Sequence, residues 1–266
     1  MARRYASLTL LASLWLVVTL AGCGSGGTPP PQHKLGTVEH NITYGHAGRV
    51  ALQMDIYYPA AADRAVPAVV YVHGGGWVGG DKASGVGHWL IPELVRRGYL
   101  VAAVNYRLAP AYKFPAQIED VKCAIKHLRA NAANYGIDPR RIGAFGGSAG
   151  GHLVALLGTS DPTAGLEGSC GFDDQSSRVQ AVVDLFGPAD LSVLFSGDGS
   201  QLLWQVFGTT DHNSETVTRA SPVSHVTSDD PPFLIIHGDN DLVVPLNQSQ
   251  ILYEKLVAAG VPATLV

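Results

Sequence analysis

Gly146-Gly147-Ser148-Ala149-Gly150 sets one serine among residues with almost no side chain. The apolar run 142–145 leads into it and the helix-like run 151–157 leads out, so the pentapeptide reads as a strand-to-helix turn. A G-x-S-x-G turn of this kind strains the serine backbone and pushes its hydroxyl into the open. Only small neighbours let strand and helix cross so closely. The chemistry on offer is nucleophilic attack by Ser148. A glycine-serine loop without chemistry is the bland reading, and two further signals decide against it.

The first is His73-Gly74-Gly75-Gly76-Trp77, directly after the apolar run 67–72. Consecutive glycines let bare N–H groups approach a developing negative oxygen. Gly75 and Gly76 are the expected oxyanion donors, together with the N–H of Ala149. A phosphate loop is the rival, but Trp77 stands where Gly-Lys-Ser/Thr would be needed. The second signal is His237-Gly238-Asp239-Asn240-Asp241, at the carboxyl end of the run 233–237. Ligands and reacting groups gather at that edge of open α/β sheets. Asp241 is the expected orienting acid. Asp239 and Asp190 compete for the role, with a turn and a helix N-cap as their structural alternatives.

A serine–acid–histidine order requires a histidine after the acid. The last histidine is His237, and the sequence stops at Val266. His73 and His237 are explained by their motifs, and His152, one helical turn past Ser148, should point away from the hydroxyl. His88, His127, His212 and His225 fall in helical or loop stretches, and His33, His40 and His46 near the amino terminus. The expectation is a C-terminally truncated domain whose general base lies beyond the 266 residues. Losing the base alone costs about 10⁶-fold in turnover, so this polypeptide is expected to be nearly inactive.

The elements that must position these groups alternate. Runs 38–44 and 50–58 read as a hairpin, and 67–72, 99–104, 142–145, 179–186 and 233–237 as strands. Helices are expected over 88–97, from Pro115 with Ile118, Val121, Ile125 and Leu128 on one face, and over 249–259. A short strand 263–266 closes the chain. This alternation implies an α/β fold, a mostly parallel sheet with helices on both faces. Between 187 and 232 the alternation lapses, and this segment is expected to form a small lid.

With 46% hydrophobic and 15% charged residues, the chain can bury a substantial single core. A net charge of −4 with scattered cations gives no case for nucleic acid. No His/Cys cluster has metal-ligand spacing, and no cofactor is implied. Arg3 and Arg4 followed by the apolar stretch 8–20 form a signal peptide over 1–22. Leu20-Ala21-Gly22-Cys23 resembles a bacterial lipobox, which implies lipidation of Cys23, a tether over 23–36 and a folded domain over 37–266. The protein is therefore expected to be exported and lipid-anchored to a bacterial membrane. Export would allow Cys123 and Cys170 to form a disulfide, and two unpaired thiols are the alternative.

These motifs occur in one order with Asn105-Tyr106-Arg107-Leu108-Ala109-Pro110 and Phe114-Pro115-Ala116-Gln117-Ile118-Glu119-Asp120. The whole from residue 38 onward resembles the α/β-hydrolases of the bifunctional feruloyl and acetyl esterase-like group, relatives of the hormone-sensitive-lipase-like carboxylesterases. The resemblance implies hydrolysis of acetyl, feruloyl or short-chain acyl esters, with esters on plant polysaccharide among the expected substrates. Gly147 departs from the hormone-sensitive-lipase pattern, which usually has Asp there, and too few residues precede the first strand for the helical cap of that group. The alternatives are a serine peptidase of the prolyl-oligopeptidase type and a non-catalytic binding protein on the same fold.

Overall fold

Apolar residues in the central runs alternate between two faces, and each face has its own core. The computed structural model describes residues 27–197 and 199–266. The signal segment 1–22, Cys23 and the first residues of the tether lie outside them. Eight strands, β1 (Val38–Ala47), β2 (Val50–Tyr57), β3 (Val66–Val72), β4 (Leu100–Val104), β5 (Ile137–Gly147), β6 (Val182–Leu185), β7 (Phe233–Ile236) and β8 (Ala263–Leu265), form one sheet. Its order is β1-β2-β4-β3-β5-β6-β7-β8. β1 and β2 pair antiparallel, as do β2 and β4, and every other pairing is parallel.

Side chains on a strand point alternately to opposite faces. Val70, Val72, Ala102, Val104 and Ala144 face the larger core, while Tyr71, Val101, Ala103 and Phe145 face the smaller one. The larger core is covered by α2 (Ala116–Ala130), α4 (Ala149–Thr159) and α8 (Asn247–Ala258). α1 (Gly87–Arg96) covers the smaller core through Ile91, Leu90 and Leu94. Helices therefore flank both faces, and the sheet is mostly parallel, as the alternation implied.

α2 buries nearly all its surface, against the one-sided pattern expected of it. Lys122 and Lys126 are accommodated because Glu167 reaches both ammonium groups, at 2.8 and 2.6 Å. The same connection brings Cys170 to Cys123, and the two are disulfide-bonded with Cα atoms 6.0 Å apart. α3 (Ala132–Tyr135) follows and ends at Gly136, whose φ of 66° is left-handed.

The segment 187–232, where the alternation of strands and helices lapses, has regular structure of its own. It folds into α5 (Leu191–Leu194), α6 (Ser200–Phe207) and α7 (Glu215–Ala220). Leu191, Leu203, Val206, Phe207 and Val217 are buried in the larger core beside Trp77. These helices run four to eight residues, too short for a 3.6-residue period to stand out.

Candidate active site

β5 ends at Gly147 and α4 begins at Ala149, so Ser148 alone makes the turn. Its φ is 56° and ψ −123°, a region that a non-glycine residue occupies only under strain. Neighbouring contacts hold it there. The Ser148 N–H donates to the Leu185 carbonyl at 2.9 Å, and the His152 N–H donates to the Ser148 carbonyl at 2.9 Å. A Cβ on Gly150 would fall 2.1 Å from the Val72 oxygen, and one on Gly146 would fall 2.5 Å from the Gly150 backbone. The small residues are thus required by the strand-helix crossing.

The glycine loop after β3 presses on this turn. A Cβ on Gly74 would lie 2.8 Å from the Gly147 oxygen and 3.4 Å from Ser148 Cβ. Gly75 and Gly76 take φ values of 115° and 61°. The Gly75 carbonyl turns away to accept N–H groups from Val78 and Gly79, at 3.1 and 3.0 Å. His73 stacks on Tyr106 with ring centroids 4.3 Å apart, and its Nδ1–H donates to the Gly74 carbonyl at 2.7 Å. Burial lowers the His73 pKa, which keeps the ring neutral. Gly74, Gly75, Val86, Ser148 and Phe186 are among the residues enclosing a cleft of about 260 Å³. No described residue from 187–232 lines it.

Asp241 stands on the loop after β7, at the same carboxyl edge as Ser148, with β6 between their strands. Its Oδ1 accepts N–H groups from Val244 and Val243, at 2.9 and 2.8 Å. These amides, Val244 foremost, outweigh partial burial and hold the carboxyl below the usual range, so it is ionised at neutral pH. Its Oδ2 lies 3.7 Å from His237 Nε2. His237 is committed elsewhere: its Nε2–H donates to the Val244 carbonyl at 2.8 Å, and Nδ1 accepts from the Ser249 hydroxyl at 2.6 Å. The two competitors take other places. Asp190 caps α5 by accepting from Ser192 and Val193 N–H groups, and Asp239 is exposed in the turn.

His152 does turn away from Ser148. Its Nδ1 accepts from the Trp77 indole N–H at 3.1 Å, and its Nε2–H donates to the Ala220 carbonyl at 2.8 Å. Full burial lowers its pKa to about 4, against the pull of the Ala220 carbonyl. β8 runs beside β7, with the His237 N–H donating to the Val266 carbonyl at 3.0 Å. A larger depression of about 440 Å³ lies at the opposite, amino edge, lined by Arg129, Arg140 and Arg178. Arg129 there donates to three backbone carbonyls, a structural role, and no candidate catalytic group is near.

Three residues of this site escaped the sequence reading. Val86 and Phe186 wall the cleft, and Asp184, on β6 two residues before Phe186, is fully buried. Asp184 Oδ1 accepts the Gly187 N–H at 2.9 Å, while Oδ2 has no hydrogen-bond partner among the described residues. Burial pushes its pKa up to about 7, despite the Gly187 N–H. A lone acid inside Val182-Val183-Asp184-Leu185 was the available signal, because unpaired carboxylates are almost never buried.

Comparison with known proteins gives these groups a context. The chain is 34% identical to "Probable carboxylic ester hydrolase LipM" of Mycobacterium tuberculosis over 93% of its own length and 59% of that protein's. Esterase LipC of the same organism is 36% identical over 73% of this chain and 49% of the relative. The chain thus spans roughly half the length of the curated relatives it matches. Among solved structures, a truncated carbohydrate esterase from gut microbiota superposes with a TM-score of 0.78 at 34% identity, covering 90% of this chain and 89% of that one. A Thermogutta terrifontis esterase, Est2 with propionate bound, gives 0.72 at 28% identity, covering 89% and 84%. The fold is that of the α/β-hydrolases, and with residues 54–256 matching the family model, the chain belongs to the BD-FAE family.

Proposed function

We propose that the protein is a serine carboxylesterase acting on acetyl, feruloyl or short-chain acyl esters. Ser148 Oγ attacks the ester carbonyl and its proton passes to a histidine. Asp241 holds that imidazole in the productive tautomer. The N–H groups of Gly75, Gly76 and Ala149 receive the oxyanion. The acyl-serine is then hydrolysed by water. The observation that carries this reading is the strained left-handed Ser148 sharing one cleft with the glycine loop. The histidine is proposed to come from residues following Val266. In support, the ring nitrogens of His152 and His237 are both engaged, and the β8 end lies beside the Asp241 loop.

The relatives' names support ester hydrolysis, and the carbohydrate esterase neighbour supports an ester carried on polysaccharide. Export and lipid anchoring through Cys23 belong to the same proposal, resting on Leu20-Ala21-Gly22-Cys23. The test is hydrolysis of p-nitrophenyl acetate by the complete protein and by residues 1–266 alone. The complete protein should turn over and should be labelled at Ser148 by a fluorophosphonate, with Ser148→Ala abolishing both. Residues 1–266 should be slower by about 10⁶-fold. Preference for an aminoacyl anilide over the ester would overturn the proposal in favour of a peptidase.

A further inference from the structure

Among the described residues, four non-glycine residues have a left-handed φ, and three of them, Trp77, Ser148 and Phe186, belong to the cleft or its glycine loop. Trp77 and Ser148 are accounted for by the oxyanion loop and the turn. Phe186, with φ 46°, is not. A bulky aromatic residue at such a φ is an outlier that surrounding structure must enforce. The enforcement is visible. Asp184 Oδ1 accepts the Gly187 N–H at 2.9 Å, closing the turn that contains Phe186. The Phe186 N–H is tied to the Ile236 carbonyl at 2.9 Å. Gly187 is jammed against α4, since a Cβ there would fall 2.5 Å from Gly151 C and from His152 N.

The result is a ring driven over Gly147. Phe186 Cζ lies 3.2 Å from where a Gly147 Cβ would be, and both Val86 methyl groups lie 3.3 Å from the same point. Ring and methyls therefore converge on one spot beside the nucleophile. Apart from Gly147, Ser148 and Phe186, the cleft lining comes wholly from the segment between β3 and α1. The alcohol oxygen must leave toward the base, on the β7 side where Asp241 stands. Six of its nine lining residues come from the β3 side of Ser148 and Phe186 alone from the β6 side, which makes the cleft the place of the acyl group. Its volume of about 260 Å³ lies under the roughly 300–1,000 Å³ of sites for larger ligands.

Resting on the esterase reading and narrowing it from three acyl classes to two, we propose that Phe186, held by the Asp184–Gly187 turn and opposed by Val86, is the specificity-determining residue that limits the acyl group to acetyl and other short aliphatic chains and excludes feruloyl. The test measures kcat/KM of the complete protein on p-nitrophenyl acetate, butyrate and octanoate and on methyl ferulate. Phe186→Gly is the informative variant, because glycine occupies φ 46° without strain and removes the ring. Val86→Ala widens the cleft independently. The unmodified protein should favour acetate and butyrate over octanoate and ferulate. Phe186→Gly should raise the octanoate-to-acetate ratio by about tenfold or more, and Val86→Ala should move it the same way by less. Asp184→Asn, which keeps an acceptor for the Gly187 N–H, should retain the parent's chain-length profile, whereas Asp184→Ala should broaden it. An unshifted ratio in both Phe186→Gly and Val86→Ala, with Ser148 still labelled and turning over acetate, would overturn this inference alone. No labelling and no turnover of any ester by the unmodified protein would overturn the esterase reading and this one with it.

Discussion

The Trp77 indole N–H donates to His152 Nδ1 at 3.1 Å, tying the oxyanion loop to the helix that carries the nucleophile. This bond needs a neutral imidazole, because a protonated Nδ1 could not accept. The folded His152 has a pKa of about 4 against an ordinary 6.5. A depressed pKa contributes stability that is complete above pH 6.5 and lost as pH falls through about 4. The loss is about 3 kcal/mol. His152→Gln, which can still accept and donate, should remove this contribution and leave a protein whose stability falls from pH 4 to pH 7, read from urea unfolding at the two values.

Asp184 works in the opposite sense. Its folded pKa, about 7, lies above the ordinary carboxylate value of 3.8. The stability it confers is complete below that ordinary value and lost as pH rises through about 7. The amount is about 4 kcal/mol. Between pH 4 and 6.5 the contributions of these two buried groups therefore oppose and nearly cancel one another. Asp184→Asn should unmask the His152 slope, making the protein more stable as pH rises across that interval. Unfolding midpoints of the two variants should change with pH in opposite directions.

The Cys123–Cys170 bridge closes a loop with a sequence separation of 47 residues. Chain entropy alone gives such a cross-link about 4 kcal/mol of stabilisation. Paired Cys123→Ala and Cys170→Ala substitutions should lower stability by an amount of that order. Thiol reductant should lower the unfolding midpoint of the parent and leave the double variant unmoved, as thermal melts with and without reductant would show.

Gly150→Ala places a methyl group 2.1 Å from the Val72 oxygen, a backbone atom that cannot swing aside. The strand and helix must then separate, displacing Ser148 and Ala149 together. Turnover should fall by at least the 10²–10³-fold, roughly, of a lost oxyanion donor. Gly165→Ala is the control, since a Cβ there meets nothing within 4 Å, although its φ of 67° adds some strain. Steady-state kinetics on p-nitrophenyl acetate separate the two.

Much of the site could be read from the chain because glycine and acid positions carry their own geometric reasons. Gly146 and Gly150 announce a crossing, and Gly75 and Gly76 a loop of bare amides. What stayed hidden depends on distant neighbours. Nothing around Phe186 dictates a left-handed backbone; that conformation follows from Gly187 meeting α4 and from Asp184 closing the turn. β5 begins at Ile137, five residues before its apolar run, because Asp138, Pro139, Arg140 and Arg141 mask the strand with polar and proline positions. Its pairing with β3 is irregular there, shifting between Val66 and Ala68. The helices between Gly187 and Pro232 were illegible because each is held by tertiary burial instead of by its own repeat.

β5 lies between β3 and β6 in the middle of the sheet, and the Ser148 amide is itself bonded to the next strand. Fraying of an outer strand leaves that amide undisturbed, and a breathing loop cannot release it. Misplacing the hydroxyl requires the sheet to part along its most protected seam, so conformational integrity of the nucleophile and integrity of the whole domain are one cooperative property.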